Sequence, residues 1–206
     1  MNILILQGSP RANGNTAWMA EEYKNAAEAA GHKVTLVNVA KKKINGCLAC
    51  EYCHTKGAGQ CIQKDDMQEL YPLLAEAEVL VLASPIYYFT LTAQIQAPIQ
   101  RFYSMMKPAG VKKTALLLSS HSPNVYDSAI AEYKLIAGFC GYEDTGIVTA
   151  MADEQKTELT KRKIIDVSIR RTASCSGERS SLLLQKRESD AYERTDSGDR
   201  PLLRRA

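Results

Sequence analysis

Short apolar runs alternate along this chain with longer stretches of good helix formers. Residues 3–6 and 79–83 are unbroken, whereas 34–39, 114–118 and 142–149 are strand-forming stretches with polar residues among the apolar ones. Runs of this length without strict polar alternation fit strands buried on both faces, as in a parallel sheet. The intervening stretches predict helices over 17–30, capped by Asn15 or Thr16 and ended by Gly31, and from a cap at Asp65 or Asp66 to about residue 77. Two more are predicted over 91–106, where Pro98 implies a kink or a late start, and over 125–139, closed by Gly141. A last helix is expected to start near Asp153. Strict strand–helix alternation predicts an α/β fold: a flavodoxin-like, doubly wound, five-stranded parallel sheet of order 2-1-3-4-5 with helices on both faces. In that topology ligands bind beyond the carboxyl ends of the strands, where loops 8–16 and 84–91 fall.

Charge changes this picture at one end only. Residues 1–160 carry 14 Lys+Arg against 16 Asp+Glu, and residues 161–206 carry 12 against 7. Only Arg11 and Arg101 are arginines in the first 160 residues, whereas nine lie in the last 46. The chain therefore divides into a domain over 1–163, with a cysteine loop over 45–62, and an Arg/Ser-rich tail over 164–206 whose composition does not support a packed core. Residues 1–6 lack a basic secretory n-region, and no apolar stretch reaches the length that spans a bilayer. The expectation is a cytoplasmic protein that binds neither membrane nor nucleic acid.

Two loops carry candidate chemistry. The first, from Gly8 to Thr16, reads Gly-Ser-Pro-Arg-Ala-Asn-Gly-Asn-Thr. Backbone N–H groups at a helix start, with Ser9, Asn13, Asn15, Thr16 and the cation of Arg11, make an anion site. The plainer reading is a polar strand-to-helix turn. Neither Gly-x-x-x-x-Gly-Lys-Ser/Thr nor Gly-x-Gly-x-x-Gly is present, which disfavours an NTP P-loop and the usual dinucleotide fingerprint. The second loop, Ser84, Pro85, Ile86, Tyr87, Tyr88, Phe89, can wall a flat ring or simply pack. Ser119, Ser120 and His121 follow the fourth strand at the same edge, and His121 is a candidate to line a site there. No Gly-x-Ser-x-Gly elbow accompanies them, so a serine hydrolase is excluded.

Cys47, Cys50 and Cys53 repeat at three, and Cys61 follows after seven intervening residues. In a reducing compartment such clustering points to metal or catalysis rather than disulfides. Thiolates at this spacing can hold a soft metal centre. An iron–sulfur cluster, a zinc site with His54 as a competing ligand, and free thiols all remain open on spacing alone. Cys140 and Cys175 are isolated.

Taken together, Gly8-Ser9-Pro10-Arg11 with Gly14-Asn15-Thr16, then Ser84-Pro85-Ile86-Tyr87, resemble the two flavin-binding loops of the NADPH-dependent FMN reductase-like flavoproteins. The cysteine run followed by Asp65-Asp66-Met67 resembles their iron–sulfur branch. The resemblance covers residues 1 to about 160 and is carried by three motifs in the expected order. It implies FMN held by its phosphate at Ser9, Arg11, Asn13, Asn15 and Thr16. The ring would lie against Ser84, Pro85, Ile86, Tyr87, Phe89 and Ser120. It also implies a [4Fe–4S] cluster on Cys47, Cys50, Cys53 and Cys61, NAD(P)H as electron donor, a small-molecule or protein acceptor, and a homodimer or higher homo-oligomer. The alternatives are a non-enzymatic flavodoxin-like carrier and a cluster-free NAD(P)H:flavin or quinone reductase. One departure stands out: where the family shows Lys and then Asp-Arg after the second loop, this chain has Gln96 and Gln100-Arg101.

Overall fold

The computed structural model describes residues 1–151 and 156–169. Five parallel strands, β1 (Asn2–Gln7), β2 (Lys33–Asn38), β3 (Val79–Pro85), β4 (Lys113–Ser119) and β5 (Glu143–Ala150), form one sheet in the order β2-β1-β3-β4-β5. The helices are α1 (Asn15–Ala29), α2 (Met67–Glu76), α3 (Ala93–Arg101), α4 (Asp127–Cys140) and α5 (Glu158–Ile169). This is the flavodoxin-like order expected from the alternation of elements.

Successive residues of a strand face opposite sides of a sheet, and both sides are apolar here. Ile3, Ile5, Val81 and Leu117 pack with Met19, Ala20 and Tyr23 of α1 and Ile164 of α5. Leu4, Leu6, Leu82 and Leu118 pack on the other side with Leu70 and Leu74 of α2, Ile95 of α3 and Tyr133 of α4. The inner strands β1, β3 and β4 are therefore almost wholly apolar because each is covered on both faces, whereas the edge strands β2 and β5 are only partly buried and carry polar residues.

Three local expectations are corrected or narrowed. Asn15 and Thr16 do not cap α1: the N-cap is Gly14, and no side chain closes that end. At α2 it is Asp65, not Asp66, that bonds the helix end: Asp65 Oδ1 accepts from the Met67 N–H at 3.2 Å, while the Asp66 carboxylate accepts from the Lys43 N–H at 2.7 Å. Pro98 sits within α3, which is shorter than expected and passes at Phe102 into a 3-10 turn, Phe102–Met105. At the carboxyl end, α5 crosses the boundary placed at residue 163 by composition. Ile164 is fully buried, and Lys161 pairs with Glu22 of α1 at 3.3 Å. The remainder of the Arg/Ser-rich tail, from residue 170, lies outside the described residues. Among the described residues, no helix is long and apolar enough to cross a membrane.

Candidate functional site

The carboxyl ends of β1, β3 and β4 enclose a cleft of about 650 Å³. Backbone bonds between strand ends bring its loops together: Gly8 N–H donates to Ala83 O at 2.8 Å and Ile86 N–H to Ser119 O at 2.8 Å. Gly8 is required for this closeness, since a Cβ there would lie 2.7 Å from Thr92 Oγ1 and 2.8 Å from Ile95 Cβ. One side of the cleft is the loop after β1, with Ser9, Arg11, Asn13, Asn15 and Thr16. Ser9 is buried, and its Oγ accepts from the Arg11 N–H at 3.2 Å. The first turn of α1 carries neither a capping side chain nor an acidic residue, so its N–H groups and the helix dipole are open to an anion.

The other side is made by Pro85, Ile86 and Tyr87 after β3, and by Ser119, Ser120 and His121 after β4. Thr16 Oγ1 and Ser119 Oγ lie 2.6 Å apart and tie the two sides together. Ser119 was not marked from the sequence as a cofactor contact, although its place at the end of a strand was the available signal. His121 lines the cleft as its position suggested.

Two expected contacts do not line the cleft. Ser84 is fully buried: its hydroxyl donates to Pro85 O at 2.8 Å and accepts from Thr92 N–H at 3.1 Å, bracing the loop from below. Phe89 is 56% exposed and Tyr88 95% exposed. Both have left-handed backbone, at φ 69° and 49°, in a turn closed by bonds between Tyr87 and Thr90. Two consecutive left-handed aromatics cost on the order of 1–2 kcal/mol each. This turn directs their side chains away from the cleft.

Cys47, Cys50, Cys53 and Cys61 line one second, small pocket, together with Arg101 and Tyr103. Cys47 and Cys50 are exposed, Cys53 and Cys61 are buried, and all four are free thiols. Burial pushes the Cys53 thiol up, and the nearby Cys61, Glu51 and Cys47 add to it. Among the described residues, no three His, Cys, Asp or Glu side chains are placed to hold a single metal ion. The four cysteines instead stand around a shared pocket. Their loop is contorted, with left-handed backbone at Ala49, Glu51 and Ala58. Such non-glycine outliers concentrate at functional segments.

Side chains from the end of α3 and the turn after it hold this loop. Cys47 N–H donates to Gln100 Oε1 at 3.3 Å, and Tyr103 Oη donates to Glu51 Oε1 at 2.8 Å. His54 Nε2 donates to Tyr103 O at 2.9 Å, and the two rings meet edge to face at 4.6 Å, so His54 is engaged away from the thiols. Arg101 is buried and pairs with Asp65 at 2.8 Å. Burial raises the Asp65 carboxyl, but the Arg101 guanidinium and the Asn45 N–H outweigh it and leave Asp65 below the usual carboxylate range. The start of α3 braces the cleft, through Thr92 Oγ1 donating to Gly8 O at 2.8 Å, and its end reaches the cysteine pocket. At 1.5 Å per residue, the nine steps from Thr92 to Arg101 span about 13.5 Å.

Comparison with known proteins follows this geometry. An iron–sulfur flavoprotein of Archaeoglobus fulgidus is 40% identical over 114 residues, covering 55% of this chain and 49% of the relative. An iron–sulfur flavoprotein of Methanocaldococcus jannaschii is 37% identical over 101 residues, 49% of this chain and 50% of the relative. The chain thus matches about half the length of these curated relatives. Among solved structures, the NAD(P)H:quinone oxidoreductase of Methanothermobacter marburgensis superposes with a TM-score of 0.67 at 16% identity, over 86% of this chain and 99% of that one. At that identity the likeness speaks for the fold. Residues 1–152 match the model of the NADPH-dependent FMN reductase family, and the chain belongs to that family.

Proposed function

We propose that this chain is an FMN-dependent NAD(P)H oxidoreductase whose cysteine pocket holds a [4Fe–4S] cluster. The observation that carries the flavin reading is the cleft itself. It joins an uncapped helix N-terminus and Arg11 on one side to a flat apolar wall of Pro85, Ile86 and Tyr87 on the other. Its volume of about 650 Å³ lies within the usual range for cofactor sites. Ser9, Asn13, Asn15 and Thr16 would bond the phosphate, with Arg11 adding charge. Ser120 and His121 would meet the polar edge of the ring, and Ser119 would position Thr16. FMN, when bound, supplies hydride acceptance and one-electron transfer, so no side chain is assigned as general acid or base.

The donor set of the second pocket fits a cluster. A single ion needs donors converging on one point, whereas a four-iron cluster takes one thiolate at each iron, so its ligands stand apart around a common space. Cys47, Cys50, Cys53 and Cys61 line one common space, which supports the second arrangement. Placing the two centres at the two ends of α3 allows electrons to pass between them. Five free thiols among the described residues suit a reducing cytoplasm. The donor is NAD(P)H, the acceptor a small molecule or a protein, and the assembly a homo-oligomer.

An anaerobic visible spectrum, recorded before and after adding NADPH, tests the reading together with iron and sulfide analysis. Flavin bands that bleach with catalytic consumption of NADPH, over a broad iron–sulfur absorbance, are expected. A protein that binds FMN but never turns over NAD(P)H would be an electron carrier instead. Stoichiometric zinc without iron would overturn the cluster assignment.

A further inference from the structure

We infer that Arg101, held by Asp65, is the positioning residue of the cysteine pocket: a buried cation that closes loop 45–62 and sets a positive charge in the wall of that pocket. The inference deepens the metal-centre reading of that pocket and rests on it.

The geometry is that of a clasp. Arg101 Nη1 and Nη2 bond Asp65 Oδ2 and Oδ1 at 2.8 and 3.2 Å, and Nη1 also donates to Asn45 O at 3.1 Å. Asp65 in turn accepts from Asn45 N–H at 3.0 Å and Met67 N–H at 3.2 Å. Asn45 enters the cysteine loop and Asp65 leaves it, so one guanidinium fastens both ends to the last residue of α3. Only the planar fork of arginine serves both partners at once; a lysine ammonium is a point charge.

The same side chain is directional. The Arg101 side chain is 1% exposed and that of Asp65 10%. Arg101 lines the cysteine pocket and Asp65 does not. The carboxylate occupies the Nη edge, and the Tyr71 hydroxyl lies beside the rest of the guanidinium. The pair is neutral as a whole, yet its positive member borders the cysteine pocket while its negative member accepts from backbone N–H groups outside it.

Full-length Arg101→Gln, Asp65→Asn and Arg101→Lys chains, purified anaerobically, test this in two ways. The first way is independent of metal. After chelation, iodoacetamide labelling is followed cysteine by cysteine. In the parent chain Cys53 and Cys61 are expected to label more slowly than Cys47 and Cys50. In Arg101→Gln and Asp65→Asn they should label at least tenfold faster, with Cys140, buried on the core, still protected as the gauge of folding. Arg101→Lys keeps the charge but not the fork. It should give an intermediate rate and carries the comparison if the Gln variant loses Cys140 protection. Unchanged labelling of Cys53 and Cys61 in a folded variant overturns the clasp.

The second way reads the midpoint potential of the iron centre. Removing a positive charge from the pocket wall lowers it and removing the negative partner raises it. Arg101→Gln and Asp65→Asn should therefore move it in opposite directions, each by at least a threefold change in the reduction equilibrium. Shifts of the same sign, or none, would show a clasp without charge tuning and overturn the directional part. A parent chain free of iron overturns the metal reading of the pocket, while the labelling still decides whether Arg101 holds the loop.

Discussion

Thr16 and Ser119 are 103 residues apart in sequence, and their buried hydroxyls meet at 2.6 Å. The contact joins the first turn of α1 to the end of β4 and so ties the two sides of the cleft together. Thr16→Val keeps the shape and leaves Ser119 without its partner. It is expected to cost about 1–2 kcal/mol in urea unfolding of the flavin-free protein. Ser119→Ala should cost a similar amount, and the double variant less than the sum, since neighbours sharing one bond are not additive.

Arg11 is exposed at the rim of the cleft, so water screens part of its charge. Arg11→Ala should therefore weaken FMN binding about tenfold, the low end for a charge-assisted bond. Riboflavin, which lacks the phosphate, should bind the parent chain much more weakly than FMN and be nearly indifferent to the substitution. Titration of both flavins against both proteins gives the answer. Equal weakening of the two would place Arg11 away from the phosphate.

Cys50 is exposed and lines the cysteine pocket, whereas Cys140 ends α4 within the core. Cys50→Ala is expected to abolish iron and acid-labile sulfide while sparing bound FMN. Cys140→Ala should retain both, with a modest loss of stability. Cys175 lies outside the described residues, and its replacement is expected to change neither cofactor. Iron retained in full by Cys50→Ala would refute the ligand set.

Asp65 gives a pH dependence of definite sign. Its carboxyl is held below the ordinary aspartate value of about 3.9, because Arg101 and two backbone N–H groups outweigh the effect of burial. A depressed carboxyl contributes stability that is fully present above the unfolded value and lost as pH falls through the folded one. Parent and Asp65→Asn chains should thus differ most at neutral pH and converge below about pH 4. Urea midpoints measured from pH 7 down to pH 3 check this; a constant gap would assign the stability to other groups.

Ile164 of α5 is fully buried against the sheet, and Ile164→Ala should cost about 2–5 kcal/mol. Removal of residues 172–206, whose Arg/Ser-rich composition does not support a packed core, is expected to leave flavin binding and the thermal midpoint unchanged. A loss of flavin on that truncation would show that the tail takes part in the cleft.

The strand runs, the helix that follows Gly14 and the order of the sheet were legible in the sequence, because they depend on local apolar pattern and on how strand–helix units pack. Most of the cleft was legible for the same reason: the topology sends the loops after β1, β3 and β4 to one edge, and Ser9, Arg11 and Pro85 lie on those loops. The tertiary structure alone decided which side chains on a shared loop face inward. Ser84 is held below the loop by its bonds to Pro85 O and Thr92 N–H, and Phe89 is exposed because the closed turn from Tyr87 to Thr90 fixes its backbone; no periodicity encodes either choice. It also decided the role of Arg101, which reads in sequence as one charged helix residue. Its partners Asn45 and Asp65 lie 56 and 36 residues away and meet it only because the packed end of α3 reaches the cysteine loop.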